Sequence, residues 1–184
     1  MEEIKKNAIR VDLLDVYERI KRMSAMRARG IPDHTQRIAV TDDDHKLINP
    51  LIIQGLSELA DDVGVIELAQ DTPIDKLSEE LMKDGFVELL ENQQVDETER
   101  REAHEFLVSY RLPGEGGAKY KTGAVAELVY HALANYALKY WYEGLGMYDD
   151  MNLKLMEYER LVRKIRNHSY QFKNKKFERP YISL

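Results

Sequence analysis

Residues 112–123, LPGEGGAKYKTG, hold four glycines, two lysines and a threonine. These are the ingredients of a phosphate cradle: glycines let backbone amides face an anion, while a lysine and a hydroxyl engage the terminal phosphate and magnesium. The spacing fails at its structural positions. Anchored on Lys121 and Thr122, the pattern G-x-x-x-x-G-K-[ST] needs glycine at 115 and 120, where Glu115 and Tyr120 stand. The dinucleotide pattern G-x-G-x-x-G, begun on Gly114 and Gly116, meets Lys119 in place of its third glycine. The stretch therefore reads as a hinge from a strand that Pro113 ends into a helix that Thr122 begins.

A second run, Asp42-Asp43-Asp44-His45, offers carboxylates and an imidazole, which are competent ligands for divalent metals. Consecutive residues at a helix start cannot all converge on one ion. N-capping and complementation of the helix dipole account for every acid: Thr41 is the N-cap, and Asp44, three residues on, reaches back to the free amide. His131 lies beside the apolar face of a core helix and His104 at a strand entry, with no H-x-x-x-H or H-E-x-x-H spacing. No serine or threonine sits in G-x-S-x-G, and Asp61 and Asp62 are helical neighbours that point apart. With no cysteine there is no disulfide, thiolate zinc site or thiol nucleophile. These readings predict a protein that is not an enzyme, with no cofactor and no metal.

The aromatic run NYALKYWYEGLGMY, residues 135–148, could be taken for a base-stacking box. Helical spacing makes Tyr136, Tyr140 and Trp141 core or a subunit contact instead. Tyr130 and Tyr142, off the main stripe, are the interface candidates, because tyrosine is enriched where protein surfaces meet.

Periodicity sets the elements that carry these residues. Ile9, Leu13, Val16, Ile20 and Met23 recur at steps of three and four, predicting a helix over 4–29 that Gly30 and Pro32 end. The capped helix after Thr41 carries a stripe of Ile48, Leu51, Ile52, Leu59 and Val63 and closes at Gly64, with Pro50 expected to bend or restart it. TPIDKLSEELMKDG, 72–85, suggests a short helix, while FVELLEN and EFLVSYRLP predict a two-stranded β element, its clearest strand at 106–110. Between them QQVDETERREAH, within the acidic segment 91–105, reads as a charged excursion. The core helix runs from Thr122 to Gly144 on Val125, Leu128, Val129, Ala132, Leu133, Tyr136, Tyr140 and Trp141. A short turn at 144–149 then makes an antiparallel hairpin with a helix over 150–167, whose face is Leu155, Tyr158, Val162 and Ile165. The expected class is mainly α: an antiparallel helical bundle over residues 1–167 with a small two-stranded β element, and an extended basic and aromatic arm over 168–184.

At 184 residues, 43% hydrophobic and 33% charged, the chain has the composition of one globular domain plus an arm. No apolar run is long enough to cross a bilayer, and MEEIKKNAIR lacks a secretory core, so no membrane association or export is expected. The net charge of −6 divides unevenly: residues 166–184 carry +4, leaving −10 on the rest. An acidic body repels polyanions, so general nucleic-acid binding by it is disfavoured.

In order, the pieces VYERIKRMSAM, VTDDDHKLINPLIIQGLSEL, SYRLP and AELVYHALANYALKYWYEG, followed by an amphipathic helix and a basic tail with Arg-Pro, resemble the small helical head–tail connector, or neck adaptor, proteins of tailed phages and prophages. TDDDHKL and LKYWYE carry the resemblance best, while Pro50 and the insert 91–105 depart from it. It implies a non-enzymatic virion protein, made in the host cytoplasm and forming a ring of about a dozen copies between portal and tail. Portal and other neck or tail proteins would be its partners, and DNA would pass through the channel without sequence-specific binding. The tail would anchor in a neighbour or the portal through Tyr170, Phe172, Lys175, Phe177, Arg179, Pro180 and Tyr181. The alternatives are a nucleotide- or metal-dependent enzyme using the loop 114–122, or a small helical interaction or regulatory module.

Overall fold

Seven consecutive residues, Ala132 to Leu138, are all buried, so this stretch of helix is covered on every side. A helix with no solvent face must be central, and the chain is organised around it. The computed structural model describes residues 8–31, 37–64, 66–68, 107–111 and 119–173. Its elements are β1 (Ala8–Asp12), α1 (Leu13–Arg29), a 3-10 turn (Asp42–Asp44), α2 (His45–Val63), β2 (Glu67–Leu68), β3 (Leu107–Arg111), α3 (Lys119–Gly144) and α4 (Tyr148–Lys173). The protein is mainly helical. The central helix is α3, and α1, α2, α4 and β1 all pack on it.

The small β element has three antiparallel strands in the order β1-β3-β2, with Ile9 opposite Tyr110 and Val11 opposite Val108. The strand expected at 106–110 is present as β3, but one of its partners is the N-terminus, where a helix was expected. Ile9 and Val11 are buried and Arg10 between them is exposed, a period of two rather than 3.6. The helix starts only at Leu13. Asp12 keeps an extended backbone, and its side chain accepts the Leu14 amide at 2.9 Å, which stops the strand and caps α1 in one residue. Ile9 fits the helical stripe because a step of four to Leu13 satisfies either period.

The second helix begins as the capping pattern requires, with the Asp44 carboxylate accepting the Thr41 amide at 2.7 Å. It ends on Gly64, whose φ of 68° places it in the left-handed region and whose amide donates to the Ala60 carbonyl at 2.9 Å. The helix continues through Pro50 without restarting. The Pro50 ring lies on the exposed side.

Helices α3 and α4 form the expected antiparallel hairpin about Gly146, which takes a φ of 72°. Tyr158, Val162 and Ile165 are buried as their spacing implies. Helix α4 runs on to Lys173, beyond the expected end at 167, so Tyr170 and Phe172 belong to its last turns and not to an extended arm. The segments 72–85 and 86–92, the excursion 93–104 with His104, the glycine loop 112–118 and the tail from 174, with Lys175, Phe177, Arg179, Pro180 and Tyr181, lie outside the described residues.

Close packing on α3 is tightest at Gly55 of α2. A Cβ there would stand 2.9 Å from Tyr136 Cδ1, and the Tyr136 ring is itself held between Tyr140 and Tyr158 at centroid distances of 5.2 and 5.5 Å. Gly55→Ala is therefore expected to cost about 1–3 kcal/mol by overpacking. Gly123→Ala, on α3 with nothing within 4 Å of the added methyl, should stabilise by about 0.5–1 kcal/mol. Urea unfolding monitored by circular dichroism distinguishes the two.

Candidate functional site

The residues singled out for chemistry lie in three places, and the first is the run before α2. The backbone of residues 38–41 is held by side chains from two other helices. Tyr17 of α1 donates its hydroxyl to the Thr41 carbonyl at 2.8 Å, and Trp141 of α3 donates its indole N–H to the Ile38 carbonyl at 2.8 Å. Ser24 of α1 accepts the Val40 amide at 2.9 Å while donating to the Lys21 carbonyl at 3.0 Å. Asp42 pairs with Lys21, and Arg37 reaches both Thr41 and Asp44. His45 directs Nδ1 at the Asp42 carbonyl. Each polar group of the DDDH run for which a partner is described is thus engaged in fastening this strap to α1 and starting α2. Among the described residues no three His, Asp or Glu side chains gather as a metal site. The acids also act on Tyr17: burial first, then Asp42 and Asp44, raise its hydroxyl pKa far above the ordinary tyrosine value.

The second place holds the two tyrosines expected at a subunit interface. Tyr142 has no surface to offer, since it is 0% exposed inside the monomer. It sits beside the ion pair of Arg27 with Asp150, at 2.6 and 3.0 Å, which joins the end of α1 to the start of α4. Its hydroxyl is buried without a hydrogen-bond partner among the described residues. Burial, then the Asp150 charge, push its pKa up to about 12, with Arg27 opposing. Tyr130 is half-buried and serves within the chain: its hydroxyl accepts the Asp12 amide at 2.8 Å, and the Arg19 guanidinium lies 5.4 Å above its ring. Arg19 is in turn fixed by Glu127 at 3.0 Å. Sequence periodicity misplaced Tyr142 because it treats α3 as having one apolar stripe, whereas the fold covers several of its sides. His131 is exposed on α3, its pKa lowered first by partial burial and then by Arg19.

The third place is a groove of about 440 Å³ between α2, α3 and α4, which periodicity alone did not reveal. Tyr136, Tyr140 and Tyr158 form its aromatic wall, and the Lys139 ammonium lies 4.8 Å from the Tyr136 ring centroid and 4.2 Å from that of Tyr140. Tyr158 donates to Asp62 at 2.7 Å, and Arg166 donates to the Val63 and Asp62 carbonyls, covering the carbonyl end of α2. The groove has an acidic side on α2, with Glu58 and Asp62, and a mixed side on α4, where Arg163 and Arg166 stand with Glu159. The Tyr158 and Arg166 bonds tie α4 to the end of α2 along this groove.

No family model, curated protein or solved structure matches the chain. No described helix is long and apolar enough to cross a membrane.

Two measurements test these assignments. Ser24→Ala leaves the buried Val40 amide without its acceptor and is expected to cost about 1–3 kcal/mol in equilibrium unfolding. Tyr142→Phe removes a buried hydroxyl that has no described partner and should be neutral or slightly stabilising at pH 7. The folded state holds the Tyr142 proton more tightly than the unfolded chain, whose pKa is near 10.0, so its contribution is complete below pH 10 and is lost as pH rises toward 12. Unfolding titrations between those values should show a flatter loss of stability in the variant than in the parent protein.

Proposed function

We propose that this chain is a structural protein of a tailed-phage neck, copies of which form a ring between portal and tail around the DNA channel. The observation that carries the reading is the use to which the quoted segments are put. TDDDHKL fastens the strap and starts α2, and LKYWYE supplies core rings and the indole that holds Ile38. The two segments that carry the resemblance thus fasten the helices of the body to one another, which is what a load-bearing ring subunit requires.

The charge distribution supports the same reading. An acidic body facing a channel offers few cations to phosphates, so DNA slides past it, while the basic and aromatic C-terminus suits docking on another protein. Anchoring falls to Tyr170 and Phe172 on the last turns of α4 and to Lys175, Phe177, Arg179, Pro180 and Tyr181 beyond them.

Deleting residues 174–184 tests the tail without shortening α4. The truncated protein should keep its helical circular dichroism and melting temperature but fail to co-purify with the portal protein of the particle that contains the full-length chain. Normal incorporation of the truncated chain into particles would sink the anchoring role, and absence of the full-length chain from purified particles would sink the virion assignment.

A further inference from the structure

Two helices of the body carry outward stripes that match each other and not themselves. On α2, opposite the buried Ile52, Leu56 and Leu59, the exposed line contains Leu47, Pro50, Glu58 and Asp61. On α4, opposite the buried Tyr158, Leu161 and Ile165, it contains Leu153, Met156, Arg160 and Lys164. Leu47 is 64% exposed, Leu153 50% and Met156 66%, so each line places large apolar side chains in water in its first half. In its second half one line is acidic and the other basic.

The spacing agrees as well as the sign. Leu47 precedes Glu58 by eleven residues, Pro50 precedes Asp61 by eleven, and Leu153 precedes Lys164 by eleven, each about 16 Å of helix. Laid parallel with Leu47 level with Leu153, the lines set Pro50 level with Met156 and Glu58 level with Lys164, and leave Arg160 and Asp61 each within about one turn of an opposite charge. Within one protomer the charged ends already stand abreast, because Tyr158 reaches Asp62 and Arg166 reaches the Val63 carbonyl. A second copy placed beside the first by rotation, with little axial shift, therefore brings its acidic half level with the basic half of the first.

We propose that the α2 line of one copy docks on the α4 line of the next, with Glu58 and Asp61 facing Arg160 and Lys164 and with Leu47 and Pro50 packed on Leu153 and Met156. The contact joins two different faces, so it propagates from copy to copy and closes into a ring if the rotation permits. It rests on the ring reading for that closure alone.

The experiment is sedimentation velocity and light scattering on the full chain, from micromolar to several hundred micromolar, at low and high salt. The parent protein should form species beyond a dimer that weaken as salt screens the charges. Glu58→Lys with Asp61→Lys makes both lines basic, and Arg160→Glu with Lys164→Glu makes both acidic. Each variant should associate about tenfold more weakly or worse, with circular dichroism unchanged. Mixing the two variants should restore association, since each line then meets its opposite on the other chain.

Parent association that is insensitive to both reversals would overturn this interface while leaving a ring by another face. Failure of the mixture to associate, or a parent protein that stays monomeric throughout, would also overturn it. A reversal-sensitive open filament, or a limited oligomer that does not close, upholds the contact and removes the ring.

Discussion

The described part of this protein is arranged around one stretch of helix that has no side left for water. From Ala132 to Leu138 each residue of α3 is buried, so α1, α2, α4 and β1 must together cover the full circumference. Three alanines in that stretch let neighbours approach closely, and on the α2 side Gly55 lets a helix backbone meet the Tyr136 ring. Asn135 is buried in the same stretch: its amide N–H donates to the His131 carbonyl at 2.8 Å, while its Oδ1 has no hydrogen-bond partner among the described residues. The sheet serves this helix too: Ile9, Val11 and Tyr110 are buried, and the Tyr110 hydroxyl donates to the Leu56 carbonyl at 2.8 Å.

Covering α3 on all sides forces backbone polar groups inside, and the fold answers with side chains that bond to main chain. Tyr17, Ser24 and Trp141 hold the strap at residues 38–41, and Arg166 holds the end of α2. A buried amide or carbonyl left without a partner is costly, whereas a made bond adds modestly to stability. These contacts therefore select one arrangement of the helices more than they strengthen it. The tyrosines share this duty, which is why several have pKa values raised chiefly by burial.

While these interior side chains hold backbone, the surface carries a charge pattern of its own. Among the described residues, acids stand at the C-terminal half of α2 and cations along the second half of α4. Segregated charge guides orientation and rate of encounter more than it adds affinity, and exposed apolar side chains beside it supply the area to be buried.

Much of the helical architecture was legible in the sequence because it is local. The capping box at Thr41 and Asp44, the glycine that ends α2, the hairpin turn at Gly146 and the stripes of α2 and α4 each depend on residues within a few positions of one another. The failure of the phosphate-loop pattern was legible for the same reason, since Glu115 and Tyr120 occupy positions where only glycine serves. What the sequence could not settle was anything requiring a distant partner. Ile9 fits both a helix and a strand, and only pairing with Tyr110, a hundred residues away, decides for the strand. Tyr142 lies off the main stripe of its helix, and only the packing of other elements around α3 decides that it is interior. Local spacing determines which residues share a face; which faces meet is decided by the tertiary structure, because burial is a property of the neighbour and not of the residue.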